Sequence, residues 1–431
     1  MTETAENSGL VVRMLDDQDR RGGRRELTAA TVGGVVEAYD WGVYAVLAPY
    51  FAPQLFPSVD EYGALISAYL TFAAGFIARP FGAVIIGRLT DTRGRRFGLT
   101  LSVTIIAAAS LLLAVVPTNA SIGPLAAVIV IAARLAQGLS MGAENPSAGA
   151  YVTETAPHGR RFLYSAISYT GIVFGSLLAF GTLAILQATL GDSGVTNGGW
   201  RIAFVFGAVL GLAALWIRRG IPESEAFEQV KPVDRRFPFA LLKAHRRELG
   251  IVLGACTAAT IPFYFGTIYL PIYSEMVGAT TRQEATRSML VALVVLLITM
   301  AAGGALADRI GALRALRIGC AAIAGITVPL MMLLQYQVLP FTLVASLFLM
   351  LFALPVGVAN VLLGSLFPPE IRTVGVALPS AIAIGVFGGS FPAVAHSMAA
   401  AGHVTLVPWI VTLAGLGGLV ATVFIRPDRL F

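Results

Sequence analysis

Long apolar stretches, separated by short polar segments, dominate the chain. Each approaches or exceeds the about 20 residues that an α-helix needs to cross the hydrocarbon of a bilayer. Their length does not fit a transmembrane β-barrel, whose strands are about ten residues of alternating polarity. We therefore predict an all-α membrane protein with twelve transmembrane helices. The stretches lie at 28–50, 62–86, 97–117, 122–150, 163–190, 201–217, 249–273, 286–306, 313–334, 340–366, 374–400 and 404–425.

The composition agrees with a chain that lies mostly in lipid. Of the 431 residues, 56% are hydrophobic and 13% are charged, whereas a soluble domain carries about 25% charged residues. The two cysteines, Cys256 and Cys320, both fall in apolar stretches, and no CxxC motif indicates a metal site. The sequence shows no nucleophile–base set and no phosphate-binding loop, so we predict neither a cofactor nor an enzyme.

The distribution of basic residues predicts the topology. The net charge of +6 is spread between the apolar stretches instead of forming one stripe, so we do not expect a nucleic-acid partner. If the N-terminus lies inside, the outside segments hold only Arg201, Arg282 and Arg287 among the Lys and Arg residues. The positive-inside rule then places both termini in the cytoplasm. We predict a multi-pass protein of the cytoplasmic membrane, with residues 1–26 as a cytoplasmic tail.

Two sequence echoes divide the chain into related halves. The motif at 87–94 returns at 304–311, and a weaker echo pairs 157–160 with 369–372. Parallel six-helix repeats of this kind occur in secondary transporters. The longest polar interruption lies between the halves, near the midpoint of the chain. We predict an N-terminal six-helix bundle at 27–218, a cytoplasmic linker at 219–248, a C-terminal six-helix bundle at 249–425 and a tail at 426–431.

Two motifs resemble the signatures of the major facilitator superfamily. The run from Gly87 to Arg96 is similar to the signature loop between helices 2 and 3, with Thr92 where a basic residue is usual. The run Arg134-Leu135-Ala136-Gln137-Gly138 resembles the second signature, in helix 4. The resemblance implies a transporter of two pseudo-symmetric six-helix bundles that works by alternating access.

Within that superfamily, the chain resembles the metabolite:proton symporters over nearly its whole length. This branch imports small carboxylates, aromatic or cyclic acids and betaine-like zwitterions together with protons. At three positions that face the central cavity in this branch, the chain has other residues, namely Asn145, Tyr169 and Ala381. The resemblance therefore does not identify the substrate. Helix 5 lacks the Gly-Pro pair of the drug:proton antiporters, which favours symport over export. The matching residues are 37–40 with Tyr44, 76–82, 142–144, 199–201, 218–224 and 387–389 with Pro392.

Ionisable residues at bilayer depth are costly and need a reason. Asp40 lies about 12 residues, or roughly 18 Å, from the inner end of helix 1, and Arg134 lies at a similar depth in helix 4. We expect Asp40 to pair with Arg134, with Glu37 as the competing partner. A carboxylate beside an Arg stays charged, whereas a desolvated one without it takes up a proton. The pair is either the proton-coupling element or a permanent structural link between helices 1 and 4.

Further polar residues are candidates for the cavity. Glu144 and Arg79 lie towards the cytoplasmic end, where they would form an inner gate or a second proton site. Alternatively, Arg79 holds a substrate carboxylate with its bidentate fork. Tyr39 and Tyr264 are rings with a polar tip that suit a wet cavity, although most such rings only pack. Asn145, Tyr169 and Asn360 complete the candidate substrate-binding set.

The signature motif itself suggests a latch. An acid at a cytoplasmic helix end can bond free N–H groups at the N-terminus of a neighbouring helix. We predict a gating loop that closes the inner side and breaks on inward opening; the alternative is that these charges serve topology alone. Its residues are Gly87, Asp91, Arg95 and Arg96, with Glu154 as a partner of the arginines and Asp308 in the repeated motif.

These features predict a secondary active transporter that imports a small organic acid or zwitterion by proton symport. The C-terminal half has no basic residue at membrane depth, which favours a monocarboxylate or a zwitterion and leaves dicarboxylates open. The competing predictions are an uncoupled or exporting transporter and, in a different class, a membrane sensor that binds its ligand without moving it. We expect a monomer whose partners are the substrate, the proton and the lipid bilayer.

Overall fold

The computed structural model describes residues 33–58, 60–93, 95–141, 159–219, 239–368 and 371–425. Within these ranges the chain forms twelve long helices and no strand, which confirms the predicted all-α class. The first six are α1 at 33–55, α2 at Glu61–Arg93, α3 at Arg95–Val115, α4 at Leu125–Met141, α5 at Arg161–Gly194 and α6 at Trp200–Arg219.

The second half repeats this number of long helices. Two of them are interrupted by a π-helical turn, a feature that is frequent near functional sites. They are α7 at Arg246–Tyr264, Phe265–Tyr269 and Leu270–Met276, α8 at Arg282–Ile310, α9 at Ala312–Gln335, α10 at Phe341–Gly364, α11 at Arg372–Ile382, Ala383–Gly388 and Phe391–Ala400, and α12 at Val407–Val423.

The helices have the length and polarity of membrane spans. Seven helical stretches in the described residues are long and apolar enough to cross a bilayer. One of them covers 56 residues because it contains both α5 and α6, and the chain turns between them at Gly191 and Gly198, whose φ angles are 69° and 118°. Shorter apolar helices lie within α3, α4 and α10. Large apolar side chains cover the outside, as for Trp216, which is 75% exposed.

One predicted boundary differs from the structure. The predicted stretch 122–150 corresponds to α4, which is described as far as Met141, and 142–158 lie outside the described residues. The predicted gating loop is largely helical, because Gly87 and Asp91 lie inside α2, and Arg95 and Arg96 begin α3. The apolar pattern marks only the part of a helix that crosses lipid. A helix that continues into water keeps its backbone hydrogen bonds but loses the pattern, so the pattern does not show where the helix ends.

Glycines let neighbouring helices approach until their backbones touch. A Cβ atom on Gly138 of α4 would lie 1.9 Å from the carbonyl oxygen of Gly75 in α2. The same two helices meet at Gly82, where a Cβ would lie 1.9 Å from the Leu139 carbonyl oxygen. Small residues at such crossings are typical of membrane helix pairs, because packing replaces the hydrophobic effect as the force between helices in lipid.

The two halves contact each other through α5 with α8 and through α2 with α11. We call the end of the molecule that carries Asp308 the signature end, and the end that carries Arg282 the opposite end. At the signature end, a Cβ on Gly304 of α8 would lie 2.7 Å from the Phe162 carbonyl oxygen of α5. In the middle, a Cβ on Gly389 of α11 would lie 2.7 Å from the Phe76 ring of α2.

The α2–α4 crossing gives a testable prediction. We expect Gly138→Ala to destabilise the protein by about 1–3 kcal/mol, since the added methyl group must push the α2 backbone away. The measurement is the thermal unfolding midpoint of the purified protein in detergent. The matched control is Gly325→Ala in α9, where no atom lies within 4 Å of the added carbon. Equal midpoints for the two variants would contradict the close packing of α2 against α4.

Candidate functional site

The most buried ion pair joins α1 to α4. Arg134 Nη1 lies 3.2 Å from Asp40 Oδ2, and Arg134 Nη2 donates to the Asp40 backbone oxygen at 3.3 Å. Gln137 Nε2 donates to Asp40 Oδ1 at 2.8 Å, and the Ser110 hydroxyl of α3 donates to the same oxygen. Asp40 is 2% exposed and Arg134 is fully buried. The carboxylate is therefore held by side chains from α3 and α4.

The local sequence explains this geometry. Arg134 and Gln137 are three residues apart in α4, so both side chains face α1. The sequence placed Asp40 and Arg134 at matching depth but missed Ser110 and Gln137. Gln137 lies inside the second signature motif, one turn after Arg134, and that spacing was the available signal. Ser110 offered no signal, because only the packing of α3 brings it to Asp40.

A second ion pair lies on the same helix but at a more open position. Arg79 Nη2 of α2 lies 3.8 Å from Glu37 Oε1, and the side chains are 18% and 16% exposed. The Arg79 guanidinium carbon also lies 4.2 Å from the ring centre of Phe76 and 4.7 Å from that of Trp41. The structure thus pairs Glu37 with Arg79 rather than with Arg134. Glu144, the other predicted neighbour of Arg79, lies outside the described residues.

Aromatic and polar side chains from both halves surround Arg79. Tyr264 of α7 lies with its ring centre 5.6 Å from that of Phe76. Arg79, Tyr169 and Glu37 lie near the Tyr264 side chain. Helices α1, α2, α5 and α7 therefore converge around one cationic group.

The cluster extends to α11. Cys256 Sγ of α7 lies 3.2 Å from Ser380 Oγ of α11, and Tyr169 of α5 lies near Cys256. Gly388 lets α11 approach α7 closely, since a Cβ there would lie 2.8 Å from Tyr264 Cδ2. We call Glu37, Arg79, Tyr169, Cys256, Tyr264 and Ser380 the central cluster.

Tyr39 does not join the central cluster. Its hydroxyl donates to the Ala203 backbone oxygen at 2.9 Å and lies 3.4 Å from Thr182 Oγ1, so the ring is buried between α1, α5 and α6. Residues two apart on a helix lie on nearly opposite faces, so Tyr39 points away when Glu37 faces Arg79. Asn145 lies outside the described residues. Asn360 lies in α10, but its side chain is outside the described part of the structure.

At the signature end, Asp308 joins the halves. Its Oδ1 accepts from the Phe162 N–H and its Oδ2 from the Leu163 N–H, both at 3.1 Å. These are N–H groups of the first turn of α5, which have no partner within the helix. The kind of contact predicted for the signature motif is thus made by its repeat. Of the other predicted latch residues, Glu154 lies outside the described residues, as do the side chains of Asp91, Arg95 and Arg96, and the surroundings of Gly87 are not described.

The halves also contact each other at the opposite end. Arg282 of α8 binds Glu275 with two hydrogen bonds of 2.8 and 3.0 Å. Its guanidinium carbon lies 5.2 Å from the ring centre of Tyr50 in α1, and the Tyr50 hydroxyl donates to Asp192 Oδ1 at 2.7 Å. The charge pattern of the sequence indicated only that Arg282 lies in an outside segment, and its contacts with Glu275 and Tyr50 come from the structure alone.

Within the described residues, twelve long helices in two halves, with acid–arginine pairs inside, define a polytopic membrane transporter. The sequence matches the Major Facilitator Superfamily over residues 30–392, and the chain belongs to that family. It is therefore a multi-pass membrane transporter rather than an enzyme.

The curated relatives are transporters of organic acids and osmolytes. The chain is 33% identical to the alpha-ketoglutarate permease of Escherichia coli, covering 90% of each chain. It is 34% identical to the citrate-proton symporter of Salmonella typhi, covering 93% of each chain. It is 30% identical to a putative proline/betaine transporter of Staphylococcus aureus, covering 94% of this chain and 88% of the relative. These names agree with the predicted metabolite:proton symporter branch.

Solved structures confirm the fold. The partially occluded inward-open structure of the xylose transporter XylE from E. coli superposes with a TM-score of 0.70, covering 93% of this chain and 98% of that chain. The identity is 18%, so this likeness concerns the fold alone. This fold consists of two six-helix bundles, which is the architecture predicted from the sequence.

Asp308 gives a second prediction. In a C256S/C320S background, Ala307→Cys places a buried thiol beside the contact between α8 and α5. We expect Asp308→Ala to raise the rate of N-ethylmaleimide labelling of that thiol about tenfold, because charge-assisted hydrogen bonds of about 1.5–3 kcal/mol each are lost. The control is Arg309→Ala, which changes an adjacent exposed charge. An equal increase for the control would show that net charge, not the helix contact, protects the thiol.

Proposed function

We propose that this protein imports a small organic acid or zwitterionic metabolite by proton symport across the cytoplasmic membrane, with both termini in the cytoplasm and as a monomer. The observation that carries the proposal is the pair of acid–arginine contacts on α1. One is fully enclosed and suits a proton; the other is partly exposed, between the halves, and suits a substrate.

Asp40 is the proposed proton-binding residue. Its carboxylate is compensated by Arg134 and by hydrogen bonds from Gln137 and Ser110. An isolated buried carboxylate costs several kcal/mol, so withdrawal of Arg134 leaves Asp40 either protonated or strongly destabilised. Alternation between an Arg-bound and a protonated carboxyl group is therefore the proposed coupling step. Glu37 and Glu144 are proposed as secondary proton sites. Of these, Glu144 lies outside the described residues.

Arg79 is the proposed anchor for a substrate carboxylate. Its distance of 3.8 Å to Glu37 exceeds the about 2.7–2.9 Å of a charge-assisted hydrogen bond, so the substrate competes with a weak internal partner. Tyr169 and Tyr264 supply polar-tipped walls, and Cys256 and Ser380 supply smaller polar groups. Tyr39 is left out of the proposed site because its hydroxyl is bonded within the N-terminal half.

Both substrate classes suit this cluster. A carboxylate binds the Arg79 fork, and the cationic group of a zwitterion finds Glu37 and the faces of aromatic rings. The names of the relatives include both an organic acid and an osmolyte, which supports a panel of alpha-ketoglutarate, citrate, proline and betaine as the first compounds to test.

Asp40→Asn tests the coupling step. We expect the variant to lose accumulation of labelled panel compounds driven by a pH gradient, because Asn cannot bind and release the proton. Exchange of internal for external substrate needs no net proton movement and should continue. The measurement compares both processes in proteoliposomes. The control is Asp60→Asn, an exposed acid just before α2.

Each outcome of that assay distinguishes the alternatives. Wild-type uptake that ignores the gradient would indicate an uncoupled transporter. Binding of a panel compound without any flux would indicate a sensor. Loss of the folded D40N protein, measured by its thermal midpoint, would favour the permanent structural link between α1 and α4.

Arg79→Lys tests the substrate anchor. Lysine keeps the charge but lacks the planar fork, so we expect the half-saturating concentration of substrate to rise about tenfold. Arg317→Lys is the matched control, since Arg317 donates to the Thr422 backbone oxygen within the C-terminal half, away from the central cluster. The proposal for Arg79 would be abandoned if both variants showed the half-saturating concentration of the wild type.

A further inference from the structure

One aromatic ring lies between the two ion pairs of α1. The Arg79 guanidinium carbon is 4.7 Å from the ring centre of Trp41, and that of Arg134 is 5.5 Å from it. Among the described rings, Trp41 is the one that contacts both guanidinium groups. Phe76 lies over Arg79 and Tyr44 lies over Arg134. Trp41 therefore links the open pair to the enclosed pair.

The ring is held in this position from several sides. Its indole N–H donates to the sulfur of Met141, which also lies 3.6 Å from Arg79 Nη2. Gly75 leaves the space for the ring, since a Cβ there would lie 2.7 Å from Trp41 Cη2. Trp41 is 6% exposed, so its surroundings define where it lies.

The backbone provides a second link. Arg134 Nη2 donates to the Asp40 carbonyl oxygen, which belongs to the peptide unit that joins Asp40 to Trp41. A displacement of the Trp41 side chain that moves its backbone therefore also moves an acceptor of Arg134. Side-chain and main-chain contacts thus connect the same two sites.

We propose that Trp41 is a coupling residue that transmits the position of Arg79 to the Asp40–Arg134 pair. This inference rests on the proposed function. A substrate carboxylate that draws Arg79 away from the ring removes a cation–π contact of about 0.5–2 kcal/mol. The ring then shifts relative to Arg134, which changes the compensation of the Asp40 carboxylate. Substrate binding at the central cluster and proton binding at Asp40 become linked through one side chain.

The first test compares transport variants at this position. Trp41→Leu fills much of the space without a π face, whereas Trp41→Phe keeps a ring. In proteoliposomes with the labelled panel of alpha-ketoglutarate, citrate, proline and betaine, we expect W41L to reduce the ratio of gradient-driven accumulation to exchange at least tenfold. W41F should retain most of this ratio. Trp216→Leu, on the lipid-exposed surface, is the control. A W41L ratio equal to that of the wild type would overturn the proposal.

The second test needs no transport and uses protein that retains an aromatic side chain. The chain has four tryptophans, so the Trp41 contribution is the difference between the emission of the wild type and of W41F. We expect this difference to change with pH in a manner abolished by D40N, and with the panel compounds in a manner abolished by R79K. A Trp41 emission that responds to neither change would overturn the proposal, even if W41L failed to fold.

The two tests also separate this inference from the proposed function. If the wild type shows no gradient-driven accumulation but the Trp41 emission responds to both pH and substrate, symport is wrong and the link through Trp41 stands. If accumulation depends on the gradient and W41L leaves the ratio unchanged, symport stands and Trp41 is only a packing residue.

Discussion

The buried contact between Asp40 and Arg134 is the constraint on which the rest of the arrangement depends. A charge enclosed by helices in lipid must be compensated by a partner or neutralised by a proton. Here α4 supplies Arg134 and Gln137, and α3 supplies Ser110. Any rearrangement that separates α1 from α4 uncovers one of the two charges. In the proposed mechanism, the need to compensate the buried charge is enough to link proton binding at Asp40 to the conformation of the helices.

Helix α1 assigns neighbouring residues to separate tasks by their direction. Glu37 faces Arg79 near the junction of the halves, and Asp40 faces the interior of the N-terminal half. Tyr39 packs against α5 and α6. Trp41 stands between the two arginines and separates a partly open site from an enclosed one. One helical turn therefore holds three residues with different proposed roles. Glu37 is the partner of the proposed substrate anchor Arg79, Asp40 is the proposed proton site, and Trp41 is the proposed link between them.

Contacts at both ends of the molecule hold the halves together in this conformation. Asp308 binds the first turn of α5 at the signature end, and Arg282 lies over Tyr50 at the opposite end. Charge-assisted hydrogen bonds contribute about 1.5–3 kcal/mol each and a cation–π contact about 0.5–2 kcal/mol. Differences of this size are within reach of a ligand that binds one conformation more tightly than another. In the proposed transport cycle, the contacts at the two ends break and form in turn around the central cluster.

The sequence by itself determined the membrane class, the number of long helices, the repeat of the signature motif and the pairing of Asp40 with Arg134, because hydrocarbon length and the cost of buried charge act along the chain. Only the tertiary structure decided which partners the other polar groups take. Glu37 binds Arg79, Asp308 caps the first turn of α5, and Ser110 joins Asp40. It also decided that Tyr39 packs while Tyr264 reaches the central cluster. These outcomes depend on the rotation of each helix and on glycine crossings such as Gly75 with Gly138, which bring together residues that are distant in the chain.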